Sequence, residues 1–181
     1  ILGDNLFYGS YISDMLIDAS KRIDGATIFS YHVSDPERYG VVEFENGLVT
    51  NITEKPKIPR SNFVVTGIYF YDKNVFKYVK SLKPSKRNEL EITDLLKKYQ
   101  IKKQLYSNTV GKDGFWLDAG SIEDYYTTNK FVYTIQKKKK LQIGCLEKIA
   151  LKNKWISKKH IISSIKFYGN CSYSNYLKRL I

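Results

Sequence analysis

Apolar positions follow two patterns along the chain. Short runs rich in β-branched and aromatic residues predict strands at ATIFSYH (26–32), RYGVVEF (38–44), GLVTNI (47–52), SNFVVTGIYFYD (61–72) and KKQLYSNTV (102–110). The opening ILGDN reads as the end of another strand. Glu45-Asn46-Gly47 separates two of these runs, and Asn-Gly supplies a hairpin turn there. Between the strands lie segments of helical period. One is expected from a Ser10 cap to Ile23, with Met15, Leu16, Ala19 and Ile23 on one face. A short helix is expected over Asn74–Leu82, ending before Pro84, and another in LEITDLLKKYQ with Thr93 as its cap. Ser121 is expected to cap a helix running to about Lys137, with Glu123 favouring its positive end. Short helices follow around EKIALKN, KKHIISSI and NYLKRL. Strands and helices interleave, no repeat is present, and at least one pair of strands is antiparallel. The chain is therefore expected to be α/β.

At 181 residues the length fits one domain with a small appendage, and 43% hydrophobic residues suffice for a core. No apolar run approaches membrane-spanning length. Two cysteines, Cys145 and Cys171, imply neither a disulfide framework nor a zinc site, and a reducing cytoplasm is expected. The formal charge is +12, but residues 1–130 carry 18 basic and 17 acidic side chains. Residues 131–181 carry 12 basic side chains and one acid, Glu147. A basic tail can serve an anionic partner. The run Lys137–Lys140 lacks interleaved arginine and stacking aromatics, so it reads as solvated helix surface and not as a nucleic-acid groove.

Three features stand apart from core and surface: Asp4 in LGDN, Glu54-Lys55 in NITEKPK, and Asp118 in FWLDAGS. Two aspartates at the ends of apolar segments and a lysine on a short loop suit a divalent cation with a phosphate substrate. By spacing alone, the aspartates read equally as turn formers and the Glu-Lys-Pro as a solvated loop. His32, His160 and Trp116 read as structural, and no glycine-rich phosphate loop is present.

The order of the pieces separates these readings. LGDN, DPERYGVVEF, EKP, VTGIYFYD, ELEITD and WLDAG follow one another as in the sugar nucleotidyltransferases, and IGCLEKIALKNKWI in the tail is similar to that family's CPEEIAYRKGWI segment. The chain resembles the C-terminal part of such an enzyme, nearest to its thymidylyl-transferring branch, over almost its whole length. The resemblance implies a Rossmann-like mixed sheet with sugar-binding strands and a helical tail, divided as 1–136 and 137–181. It implies attack by a glucose 1-phosphate oxygen on the α-phosphorus of dTTP, giving dTDP-glucose and pyrophosphate. A UTP-dependent relative and a non-catalytic remnant are the alternatives.

The same resemblance implies Mg²⁺ on Asp4 and Asp118, and the sugar phosphate on Lys55 and Arg87. It implies a sugar pocket formed by Tyr39, Gly40, Glu54, Val65, Gly67, Tyr69 and Glu89. Gly67 is expected to leave room for the sugar. The run RNELEIT carries Asn88 where the family has glycine, and asparagine is the best replacement if that position needs a positive φ. A homotetramer is implied, with a regulatory nucleotide-sugar site involving Gly9, Ser10, Lys112, Glu147 and Lys152. Lys112 and Lys152 stand where arginine is usual, so the bidentate fork is missing. Neither nucleic acid nor membrane is an expected partner. In such enzymes the LGDN strand follows a glycine-rich nucleotide loop, so this chain by itself is expected to release no pyrophosphate.

Overall fold

A computed structural model describes residues 1–85 and 88–181. The elements run β1 (Asn5–Tyr8), α1 (Ile12–Ser20), β2 (Ala26–His32), β3 (Gly40–Glu45), β4 (Leu48–Glu54), β5 (Phe63–Tyr71), α2 (Val75–Val79), α3 (Ile92–Gln100), β6 (Leu105–Thr109), β7 (Phe115–Asp118), α4 (Ile122–Lys139), α5 (Leu146–Lys152), α6 (Lys158–Tyr168) and α7 (Ser172–Leu177). A 3-10 turn, Pro36–Arg38, precedes β3. The chain divides into two compact units, Ile1–Asp124 and Tyr125–Ile181.

In the first unit, β2 is the organising strand. It pairs antiparallel with β5 and parallel with β6, so the sheet is mixed. Residues 26–30 of β2 are buried, as expected of a strand covered on both faces. Ala26 and Ile28 pack with Leu95, Leu96 and Tyr99 of α3, and Phe29 packs with Ile12 and Ala19 of α1. The β3–β4 hairpin turns at Asn46 and Gly47, both at positive φ (50° and 78°), as a two-residue turn of this sequence requires. Single-residue pairings, Val41 with Val64 and Leu48 with Tyr106, close β2, β5, β3, β4 and β6 into a ring. The strands β1 and β7 form a separate antiparallel ribbon.

Two helix starts differ from the sequence expectation. The first helix begins at Ile12 behind Tyr11, which makes no side-chain cap bond, and stops at Ser20. Ile23 lies beyond its end, 92% exposed. Thr93 lies inside α3 and is buried, while Glu91 occupies the cap position. Burial of the Thr93 methyl against the sheet outweighs its use as a cap. Ser121 does cap α4: its Oγ accepts from the Asp124 N–H (3.1 Å) and donates to the Asp124 carboxylate (2.7 Å).

Tyr99, fully buried, donates its hydroxyl to Asp72 (2.9 Å). Asp72 also accepts from the Gly25 and Asn74 backbone N–H groups and the Asn74 amide. Burial pushes this carboxyl up, but the hydrogen bonds outweigh it and hold the group below its ordinary value of 3.8. The unfolded chain therefore binds more protons in that window. The stabilisation is complete above the ordinary value and is lost as pH falls through the lowered one. Replacing Tyr99 by phenylalanine is expected to cost about 1.5–3 kcal/mol at neutral pH in urea titration. The deficit should shrink toward pH 3.

In the second unit, Cys145, Ile161 and Leu177 form a small core with Leu151, Ile156, Ile165, Tyr173, Tyr176 and Leu180. His160 accepts the Ser157 N–H at Nδ1 (3.2 Å), completing a capping box at the start of α6, which is a structural use of this imidazole. Both cysteines are free thiols. Among the described residues, no helix is long and apolar enough to cross a membrane.

Candidate active site

The β1–β7 ribbon sets two carboxylates side by side. Its register pairs Asn5 with Asp118, and the Ala119 N–H donates to the Asp4 carbonyl (2.8 Å). Gly120 follows at once. A Cβ on Gly120 would lie 3.3 Å from Asp118 Oδ1 and 3.6 Å from Asp4 Oδ2, so both carboxylates converge on a space that any side chain here would fill. The Gly120 N–H donates to Asp118 Oδ1 (3.1 Å). Burial raises the Asp118 carboxyl above its ordinary value, and the charges of Asp4 and Asp124 add to the rise; the Gly120 N–H and Arg38 oppose it. Two hard oxygen donors facing one gap suit Mg²⁺, which takes one or two carboxylates and completes its shell with substrate oxygens and water. Among the described residues, no cluster of three or more acidic, histidine or cysteine side chains offers a denser metal site.

Both aspartates line a cleft of about 570 Å³ in the first unit. Tyr39, Gly40, Glu54, Lys55, Val65, Gly67 and Tyr69 line the same cleft. The structure thus brings nine of the eleven candidate catalytic and sugar-site residues together. Glu89 is exposed and is not among the lining residues. Arg87 lies outside the described residues. Asn88 has φ of 61°, the left-handed conformation that favours glycine or asparagine.

Each wall has a local cause. Lys55 sits at φ 40° directly before Pro56, with its N–H held by the Tyr39 carbonyl (3.0 Å). A non-glycine residue in this region stores strain, and such strain clusters at functional sites. The bond to Tyr39 fixes the Glu-Lys-Pro bend against the 3-10 turn. Gly40 lies close to two side chains: a Cβ there would be tight against Thr93 Cγ2 at 3.1 Å and Glu54 Oε2 at 3.4 Å. Burial pushes the Tyr69 hydroxyl up to about 12, helped by the Glu54 charge. Arg38 donates to Asp35 (3.0 Å) and to Asp124 (2.5 Å), tying the 3-10 turn to the first turn of α4.

Gly67 lines the cleft and also lies against the Asn5 side chain. A Cβ there would lie 2.6 Å from Asn5 Cγ, so the glycine admits the Asn5 side chain. Asn5, Thr93, Trp116 and Arg38 also line the cleft and were not among the expected site residues. Trp116 is buried as core, edge-on to Tyr39 (5.3 Å), yet its indole N–H reaches Asn5. Thr93 Oγ1 is buried with no hydrogen-bond partner among the described residues. The sequence signal for Asn5 was its place beside Asp4 in LGDN; Thr93 and Arg38 stand inside ELEITD and DPERYGVVEF.

The five candidate regulatory residues fall into two groups. Gly9, Ser10 and Lys112 lie in the first unit, at the Tyr8–Phe115 end of the ribbon. A Gly9 Cβ would meet Gly114 Cα at 3.2 Å. Glu147 and Lys152 lie in the second unit, at the first and last turns of α5, and Glu147 accepts the Tyr173 hydroxyl.

Residues 1–135 match the nucleotidyl transferase family model. The glucose-1-phosphate thymidylyltransferase of Neisseria gonorrhoeae is 44% identical over 182 aligned residues, covering all of this chain and 63% of that protein. The enzyme of that name from Xanthomonas campestris is 47% identical over 157 residues, covering 86% of this chain and 53% of its own. A UDP-glucose pyrophosphorylase solved with UDP-glucose superposes with a TM-score of 0.64 at 28% identity, over 74% of this chain and 55% of that one. The chain therefore spans 53–63% of the length of these curated relatives. The family match over residues 1–135 runs through both aspartates and the Glu-Lys-Pro bend, and it leads to one assignment: the chain belongs to the nucleotidyl transferase family.

Proposed function

We infer that this chain is the cation- and sugar-phosphate-binding part of a glucose-1-phosphate thymidylyltransferase. The observation that carries the reading is the convergence of Asp4 and Asp118 on one gap, in a cleft that Lys55 and Glu54 also line. The identities to thymidylyltransferases support the choice of glucose 1-phosphate and dTTP. The structural likeness to a UDP-glucose pyrophosphorylase keeps UTP as the second reading of the nucleotide.

In the proposed reaction, a phosphate oxygen of glucose 1-phosphate forms a bond to the α-phosphorus of the nucleotide. The bond from that phosphorus to the bridging oxygen breaks, and the electron pair leaves with pyrophosphate. Asp4 and Asp118 would hold Mg²⁺, whose charge would neutralise the α-phosphate. Lys55 neutralises and orients the sugar phosphate, which fixes the attacking oxygen in line. Arg87 serves the same phosphate. Glu54 accepts sugar hydroxyls, and Gly40, Val65, Gly67, Tyr39 and Tyr69 shape the wall around the ring; Glu89 remains a candidate for the same pocket. No covalent intermediate on the protein is needed. The reading makes the working enzyme a cytoplasmic homotetramer, with Gly9, Ser10, Lys112, Glu147 and Lys152 as candidates for a regulatory site.

Calorimetry on the purified chain tests the reading. Glucose 1-phosphate is expected to bind at least tenfold more tightly than glucose 6-phosphate, because only the anomeric phosphate can meet Lys55 while the ring meets Glu54. Equal affinities for the two, or none for either, overturn it.

A further inference from the structure

Asn5 stands at the junction of three parts of the cleft. Its Oδ1 accepts from the Gly67 N–H (3.1 Å) and from the Trp116 indole N–H. Its Nδ2 donates to Asp4 Oδ1 (2.7 Å). The two incoming donors fix which way the amide faces. Reversed, the amide would turn its NH₂ toward two N–H groups, breaking both bonds and leaving donors of two buried residues unpaired. The NH₂ must therefore face Asp4. With Oδ1 of Asp4 engaged, Oδ2 is the oxygen left on the side of Gly120 and Asp118.

We propose that Asn5 is a positioning residue for the cation site: locked by Gly67 and Trp116, it holds the Asp4 carboxylate in the rotamer that presents Oδ2 to the gap shared with Asp118. The proposal rests on the reading of Asp4 and Asp118 as cation ligands and adds a specific outer partner to it. Ligating carboxylates are oriented by such partners, and losing one typically weakens metal binding about 10–100-fold. The arrangement also gives the β5 wall a part in cation binding, because Gly67 supplies one of the two locks and, lacking a Cβ, lets the amide in. Trp116 supplies the other from β7. The sugar wall, the ribbon and the cation ligand are thereby joined through one amide.

The test is Mn²⁺ binding to the full chain, read from loss of the free-ion EPR signal, with melting followed by circular dichroism. Asn5→Leu keeps the side-chain shape and removes all three hydrogen bonds. The folded variant is expected to bind Mn²⁺ at least tenfold more weakly than the wild type. A folded Asn5→Leu binding within twofold of the wild type overturns the proposal and leaves the cation reading intact. A wild-type chain that takes up no Mn²⁺ overturns the cation reading and the proposal with it. Should Asn5→Leu not fold, the wild type decides the matter. With ¹⁵N-labelled tryptophan, Mg²⁺ is expected to shift the Trp116 indole resonance, through the Asp4–Asn5–Trp116 chain, and to leave Trp155 unmoved. Mn²⁺ uptake with a stationary Trp116 resonance refutes the coupling.

Discussion

Removing the Lys55 side chain is expected to weaken glucose 1-phosphate binding about 10–100-fold, or about 1.4–2.7 kcal/mol, by calorimetry. The loss is large because phosphate recognition here depends on few cations. Among the described residues, the cleft is lined by Lys55 and Arg38, and Arg38 is already committed to Asp35 and Asp124. Two variants separate charge from backbone. Lys55→Ala removes the charge and keeps the strain of φ 40°. Lys55→Gly removes both, so it should bind as poorly as the alanine variant yet melt at the same temperature or higher. A glycine variant that melts lower would show that the lysine stem contributes packing. Lys55→Arg should restore part of the affinity, since charge returns with a different reach.

The second large effect is expected at Asp118. Asp118→Asn should abolish measurable Mn²⁺ binding, a loss of 100-fold or more, because one of two converging carboxylates is gone. The same substitution should raise the melting temperature by about 1–3 °C. The sign follows from the raised carboxyl. Burial and the neighbouring Asp4 charge make ionisation of Asp118 unfavourable in the fold, so the folded chain binds the proton more tightly than the unfolded chain. Stability from that proton is present below the ordinary carboxylate value and is lost as pH rises through the raised value. At neutral pH the charged side chain is therefore a burden, and asparagine lifts it while its amide oxygen can still accept from the Gly120 N–H. Gain in stability together with loss of the cation would mark Asp118 as kept for chemistry. A variant that melts lower would point to a structural carboxylate.

Much of this was legible in the sequence. The Asn46-Gly47 turn, the strands from ATIFSYH to FVVTGIYFY and the Ser121 cap follow from local chemistry, and the structure places them there. Local signals failed where packing decided. Ser10 and Thr93 are good capping residues by type, but the chain starts α1 later and spends Thr93 on the buried face of α3. Ring closure rests on two single-residue pairings, Val41–Val64 and Leu48–Tyr106, which no pattern along the chain could announce. At the site, the aspartates, Lys55 and Glu54 stood out as charged residues at the ends of apolar runs. Asn5 did not, because its importance lies in three partners from β1, β5 and β7 that only the fold assembles.

The Trp116–Asn5 bond joins residues 111 positions apart. Pairing over such a separation carries a large loop-closure entropy and forms late in folding. On the ribosome, Asp4 emerges well before Asp118 and has no counterpart until β7 has been made, whereas the β3–β4 hairpin can close within microseconds of its synthesis. The cleft should thus be the last part of the first unit to appear and among the first to open, and a bound cation, which clips β1 to β7, should slow unfolding more than it speeds folding.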